Sequence, residues 1–171
     1  MTEAPSAFVV RWLSAVPPAG AGRALDVAAG AGRHARRLAS AGYTVFAVDR
    51  DLEVLRAGAN AARAGRLHIR AWVADLERVP HLPSGFDLVV CTRYLQRTLV
   101  PSLRVAVRPD GLLLYETFTL GQLRHARGPR SPDHLLRPGE LKEWFADWHV
   151  LEYEETETPD ALARLAARRP H

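Results

Sequence analysis

Apolar residues along this chain fall into short runs separated by amphipathic stretches, and the two kinds of segment alternate. Ala24 to Ala28 is a brief apolar run of the kind a buried parallel strand carries, with Asp26 set inside it. Gly30-Ala31-Gly32 breaks that run. Arg33 to Ala41 reads as a helix, because Ala35, Leu38 and Ala39 recur at i, i+3, i+4. Gly42 is placed to take the left-handed position after it. Thr44 to Val48 is a second buried strand, and Asp49 stands at its carboxyl end.

The rest of the chain repeats the alternation. Ala7 to Val16 predicts an opening helix with Phe8, Val9, Trp12, Leu13 and Val16 on its apolar face, stopped by Pro17-Pro18-Ala19-Gly20. Leu52 to Ala64 predicts a crossover helix with Leu52, Leu55, Ala59 and Ala62 inward. Leu67 to Val73 alternates, as a half-exposed edge strand does, with His68, Arg70 and Trp72 on the outer side. Phe86 to Cys91 is a continuous buried strand. Tyr94 to Val107 has a helical stripe at Leu95, Leu99, Leu103 and Ala106. Pro101 interrupts it, which suits a shorter helix beginning near the proline and a separate turn over Arg93 to Val100. After the turn signal Arg108-Pro109-Asp110-Gly111 come a strand over Leu112 to Thr117 and a long connection over 118–138. A helix follows from Arg137-Pro138-Gly139-Glu140 with Leu141, Trp144, Phe145 and Trp148 inward, then a strand over Val150 to Glu154. Ala161 to Arg168 reads equally as a strand or a helix. Alternating strand and helix implies an α/β doubly wound sheet, and the pattern alone supports six strands.

In such sheets ligands bind beyond the carboxyl ends of the strands, where Gly30, Gly32 and Asp49 fall. Glycines let the backbone approach a ligand, the first helix amides are unpaired donors, and a carboxylate accepts both hydroxyls of a ribose. The unit therefore suits a nucleoside-containing ligand. Gly30 to Ala35 fits the G-x-G-x-x-A dinucleotide fingerprint, which makes an NAD(P)-binding oxidoreductase one reading. Asp26 opposes it, since a carboxylate beside the loop repels a pyrophosphate and favours a ligand with an ammonium. Asp26 is expected to stay ionised while capping loop amides near Gly30 to Arg33, orienting that ammonium, or both.

Leu25-Asp26-Val27-Ala28-Ala29-Gly30-Ala31-Gly32, Asp49, Ala74-Asp75-Leu76 and Phe86 to Cys91 together resemble the class I S-adenosylmethionine (SAM) dependent methyltransferases. The pattern is also similar to a small subgroup that includes the tellurite-resistance methyltransferases. The resemblance implies a Rossmann-like sheet of seven strands ordered 3-2-1-4-5-7-6, with the seventh antiparallel. It implies a cofactor set of Asp26, Ala28, Gly30, Gly32, Asp49, Arg50, Asp75, Leu76 and Cys91, with SAM as donor and S-adenosylhomocysteine as product. In that set Asp49 holds the ribose, Asp75 accepts from the adenine amino group beside the Leu76 backbone, and the Cys91 carbonyl accepts from the cofactor's ammonium. Read structurally instead, Asp49 caps the helix from Asp51, Asp75 caps a loop, and the Cys91 thiol is inert. Cys91-Thr92-Arg93-Tyr94 stands where amino-methylating members carry Asn/Asp-Pro-Pro-aromatic, which argues against nucleobase amino groups as acceptors.

Composition narrows the picture. A chain of 171 residues, 47% hydrophobic and 25% charged, has the size and composition of one soluble domain. The lone Cys91 excludes an internal disulfide, no metal-ligand spacing is present, and no apolar run is long enough to span a bilayer. The N-terminus lacks a signal-peptide layout, so a cytoplasmic setting is expected. The net charge is +4, and of 23 basic residues only Lys142 is lysine. The arginines are scattered among acids, which disfavours nucleic acid as a partner, although a non-catalytic SAM- or RNA-binding module stays open. Arg11 is either solvated or a clamp on the cofactor's carboxylate. Residues 118–138 are read as a lid, with Arg124, His125, Arg127, Arg130 and His134 opposed only by Asp133. That excess predicts a small anionic or chalcogen-bearing acceptor. Tyr94, Tyr115, Glu116 and His125 are candidate pocket groups, and no catalytic residue is assigned.

Overall fold

The structure, a computed structural model, describes residues 4–16 and 22–171. The expected stop at residues 17–20 lies outside them. In chain order the elements are α1 (Ala7–Ala15), β1 (Arg23–Val27), α2 (Arg33–Ser40), β2 (Thr44–Asp49), α3 (Leu52–Ala64), β3 (Ile69–Val73) and β4 (Phe86–Thr92). They continue with α4 (Val100–Ala106), β5 (Val107–Phe118), α5 (Glu140–Glu143), β6 (His149–Thr156) and β7 (Leu162–Arg168). The strands form one sheet ordered β3-β2-β1-β4-β5-β7-β6. Ladders from β3 through β5 are parallel, and β7 runs antiparallel between β5 and β6. Residues 161–168 thus resolve as mostly strand, and their small alanines fit the crowded slot between two neighbours.

Helices cover both faces because each carries one apolar stripe. Phe8, Val9 and Leu13 of α1 and Ala35 and Leu38 of α2 pack with Val45, Leu88, Val90, Leu112 and Leu114 on one face. Leu99, Leu103, Leu141, Phe145 and Trp148 cover Leu25, Val27, Val89, Leu113 and Leu165 on the other. Pro101 sits in the first turn of α4, preceded by a separate 3-10 turn over Arg97–Leu99.

Four expectations change. Leu52 is 44% exposed, and the inward stripe of α3 is Leu55, Gly58 and Ala62. A Cβ at Gly58 would stand 2.7 Å from the Ala31 carbonyl oxygen, so the helix turns its glycine toward the loop after β1 and Leu52 outward. On edge strand β3, Trp72 is half-buried like Ile69, while Val73 is exposed, because the indole packs against the core. β5 begins at Val107, so Arg108 to Gly111 form an irregular strand start, not a turn outside it. Arg11 lines no ligand cavity, so the clamp alternative falls: it stays exposed at the surface and makes a bidentate ion pair with Glu152 of β6 at 2.5 and 2.9 Å, beside Trp12 Nε1 at 2.8 Å from the same carboxylate.

The connection over 118–138 is packed at its ends. Leu136 N–H donates to Phe118 O and Leu120 N–H to Leu136 O, both at 2.9 Å, and Leu135 and Leu136 are fully buried. Arg97 clasps it, donating to Asp133 O and Leu135 O at 2.9 and 3.0 Å and to buried Glu140 at 2.8 and 2.9 Å. Two of the loop's arginines are also engaged: Arg124 pairs with Glu157, and Arg130 donates to Leu123 O and His125 O.

Candidate functional site

The site begins where β1 stops. Ala28 leaves the strand at φ +52, a left-handed conformation that favours glycine, and Arg93 does the same after β4 at φ +53. Ala29 N–H donates to Val48 O at 2.9 Å, which holds the loop over β2. Gly30 is left-handed as well, and nothing lies within 4 Å of where its Cβ would stand, so its outer side is open for a ligand. Gly32 at φ +69 starts α2.

Asp26 is 1% exposed, and its Oδ2 accepts from Ala35 N–H at 2.8 Å. It therefore caps the first turn of α2, two residues beyond the expected amides of Gly30 to Arg33. Burial pushes its carboxyl up to about 7, against the pull of that hydrogen bond and of Arg33. The expectation of a fully ionised group is corrected accordingly.

Two cavities meet at Ala28. The first, of about 260 Å³, is lined by Ala28, Asp49, Arg50, Ala74, Asp75, Leu76, Glu77, Tyr94 and His134. The second, of about 270 Å³, is lined by Ala28, Ala29, Gly30, Ala31, Arg33, His34, Arg36, Thr92 and Arg93. Carboxylates dominate the polar side of the first, and guanidinium groups with a hydroxyl dominate the second. The pair suits a ligand with hydroxyl and amino donors at one end and an anionic group at the other.

Asp49 holds the two halves together. Its Oδ2 accepts from Gly30 N–H at 2.8 Å and its Oδ1 from Asp51 N–H at 3.0 Å. The cap of α3 is Asp51, which accepts from Glu53 and Val54 N–H at 3.0 and 3.1 Å, so the capping alternative for Asp49 falls. Asp75 Oδ1 does cap its own loop, accepting from Glu77 N–H at 3.0 Å, while the residue also lines the first cavity. Arg50 reaches Glu77 at 3.7 Å across exposed surface.

Several expected groups lie elsewhere. Cys91 is fully buried in the ladder between Val27 and Tyr115, lines neither cavity, and has its thiol raised far above the usual range by burial. Tyr115 is a core residue donating to Tyr94 O at 3.1 Å. Glu116 pairs with Arg164 at 2.5 Å, and His125 lines neither cavity. Of the four candidate pocket groups only Tyr94 lines a cavity, with its hydroxyl pushed up to about 12 by burial. The sequence reading did not single out Glu77, Arg33, Arg36, Thr92 or Arg93. Their signal was position, directly after the strand ends and within the first turn of α2. His134 had no such local signal: it arrives through the packing of residues 118–138.

A seven-stranded Rossmann-like sheet with a glycine loop after β1 and acids after β2 and β3 defines a nucleoside-binding α/β protein of the class I SAM-dependent methyltransferase type. A family model described as a methyltransferase domain matches residues 24–111, just over half of the chain. The chain belongs to that family, and SAM is the cofactor of the class. Among individual proteins it is 30% identical over 142 residues to hemagglutinin 1 of Eikenella corrodens, covering 78% of this chain and 46% of that one. It is 40% identical over 74 residues to the glycine/sarcosine N-methyltransferase of Aphanothece halophytica, covering 42% and 28%. The structure of TehB from Haemophilus influenzae superposes with a TM-score of 0.82 at 22% identity, covering 98% of this chain and 63% of that one. The chain thus spans less than half the length of the two curated relatives. Among the described residues no helix is long and apolar enough to cross a membrane.

Proposed function

We propose that this protein transfers a methyl group from SAM to a small-molecule acceptor. The observation that carries the reading is the pair of cavities joined at Ala28, with Asp49 and Asp75 in one and the guanidinium groups of Arg33, Arg36 and Arg93 in the other. In this reading Asp49 accepts from the ribose hydroxyls, and Asp75 and the Leu76 backbone hold the adenine edge. Ala28, Gly30 and Gly32 admit the ligand to the backbone, Arg50 closes the outer side, and Asp26, which lines neither cavity, orients the ammonium end indirectly by holding the first turn of α2. The Cys91 carbonyl is the acceptor for the ammonium in this reading, while its thiol is sealed in the core. When bound, SAM supplies a methyl group on a sulfonium. The chain's task is to hold the acceptor in line and exclude water, which is worth several kcal/mol when the geometry is right.

The acceptor side is the cavity of about 180 Å³ lined by Glu77, Arg93, Tyr94, Leu95, Phe118, Pro129 and His134, which shares residues with both cofactor cavities. Its size and its single guanidinium, stacked 5.9 Å from the Phe118 ring, support a small anionic or chalcogen-bearing molecule over a nucleic acid. The arginines of 118–138 contribute less than their number suggests, because Arg124 and Arg130 are engaged within the fold. A reducing cytoplasmic setting and one domain over 1–171 belong to the same reading. Thermal denaturation with SAM, S-adenosylhomocysteine and NADH tests it. A ligand at a hundredfold its Kd adds about 2.7 kcal/mol of stability. Stabilisation by NADH alone would return the chain to the oxidoreductase reading.

A further inference from the structure

The wall of the second cavity contains a buried histidine whose ring nitrogens are both engaged. His34 is 1% exposed. Its Nε2 stands 3.0 Å from Ser6 N, and its Nδ1 stands 3.2 Å from Thr92 Oγ1. The Ser6 amide can only donate, so Nε2 must accept and carries no proton. The proton of the neutral ring therefore sits on Nδ1 and is donated to the Thr92 oxygen. Thr92 lies at the end of β4 and lines the same cavity. With its oxygen accepting from His34, its own O–H proton is left to donate into that cavity. A backbone amide just ahead of α1, a ring in the first turn of α2 and a hydroxyl at the end of β4 thus form one directed chain of donors.

We propose that His34 is a positioning residue that turns the Thr92 hydroxyl into a fixed donor for the anionic end of the ligand in the second cavity. The ligand part rests on the cofactor reading above; the anionic group of that cofactor is its amino-acid carboxylate. The geometry also makes the segment before α1 part of the site, since Ser6 sets the tautomer of the ring and Arg33 Nη1 reaches Ala4 O at 3.4 Å. An imidazole with the opposite tautomer would donate from Nε2 against the Ser6 N–H and take the Thr92 proton for itself.

Two measurements test this. In the ligand-free protein, nitrogen-15 NMR of the histidine rings, with His34→Asn used for assignment, is expected to show the His34 proton on Nδ1. A proton on Nε2 overturns the relay whatever the ligand is. In titration calorimetry, S-adenosylhomocysteine is compared with 5′-methylthioadenosine, which lacks the amino-acid end. Thr92→Val, close to isosteric, and His34→Gln, which reaches the Nε2 position but leaves Thr92 without a donor, should each weaken S-adenosylhomocysteine about tenfold, the loss of one hydrogen bond to a charged group. Both should leave 5′-methylthioadenosine within about twofold. His34→Asn places its amide nitrogen near Nδ1 and should retain S-adenosylhomocysteine binding within about threefold. Unchanged S-adenosylhomocysteine affinity in Thr92→Val, or equal losses for both nucleosides, overturns the positioning role. Failure of the unmodified protein to bind either nucleoside removes the cofactor reading and the ligand role together, while the tautomer result still decides the relay.

Discussion

Asp26 gives the sharpest physical test of this site. It is a fully buried carboxyl with one amide donor, and burial moves its titration from 3.8 up to about 7. In the unfolded chain the group titrates near its ordinary value, so the folded state binds the extra proton between about pH 4 and pH 7. The sign follows directly. Below that window both states are protonated and the group contributes no pH dependence. As pH rises through it, the folded state must ionise a buried group and loses stability relative to the unfolded chain. Above about pH 7 the penalty is constant. About three pH units at 1.36 kcal/mol each put it at no more than about 4 kcal/mol. Asp26→Asn keeps an oxygen for Ala35 N–H and removes the charge. Urea unfolding of both proteins from pH 4.5 to 8.5 gives the stability difference at each pH, in which other titrating groups and the fixed cost of the amide drop out of the slope. The variant should gain about 2–4 kcal/mol relative to the parent across the window and then level off. A difference that stays flat or falls with pH would show that the α2 amides and Arg33 outweigh burial, and the argument from desolvation would fail.

Two further outcomes follow from the same geometry. Asp49→Ala should weaken S-adenosylhomocysteine about ten- to a hundredfold in calorimetry; it should also cost the free protein about 1–3 kcal/mol in urea, because Gly30 and Asp51 N–H lose their acceptor. Unchanged affinity would assign Asp49 to the loop alone. Gly58→Ala gains about 1 kcal/mol of helix propensity but drives a Cβ to 2.7 Å from Ala31 O, an overpacking cost of about 1–3 kcal/mol. It should therefore lower both stability and nucleoside affinity; a variant that is more stable and binds as before would mean that the glycine loop moves aside freely.

The parts of the fold that were legible are the local ones. From Arg23 to Asp49 each strand and helix boundary lies within one residue of its expected place, because apolar runs, glycines and helical spacing are adjacent in sequence. Residues 161–168 were ambiguous because alanine serves strand and helix alike, and the neighbours that decide the matter are β5 and β6. Leu52 was misplaced because the apolar stripe favours leucine inward, whereas close approach of α3 to the glycine loop requires Gly58 there. The acids after β2 and β3 were legible from their position at strand ends. The tie from His34 to Thr92 spans 58 residues and has no local pattern. The same holds for His134, which reaches the first cavity only because Arg97 and Glu140 clasp the segment around it.

The site owes its shape to how two central strands end. β1 and β4 are paired so that Val27 lies opposite Cys91, which brings Ala28 beside Thr92 and Arg93. Both Ala28 and Arg93 then turn off in the left-handed region, a conformation that costs a non-glycine residue on the order of 1 kcal/mol. Glycine would remove that cost at either place. At position 28 an alanine instead lines both cavities, at the junction between them. At position 93 the guanidinium is thrown back over the Phe118 ring, between the second cavity and the smaller one beside Tyr94 and His134. On the proposed reading, the strained turns therefore set two distances: that between the cavities for the two halves of the cofactor, and that between the cofactor and its methyl acceptor.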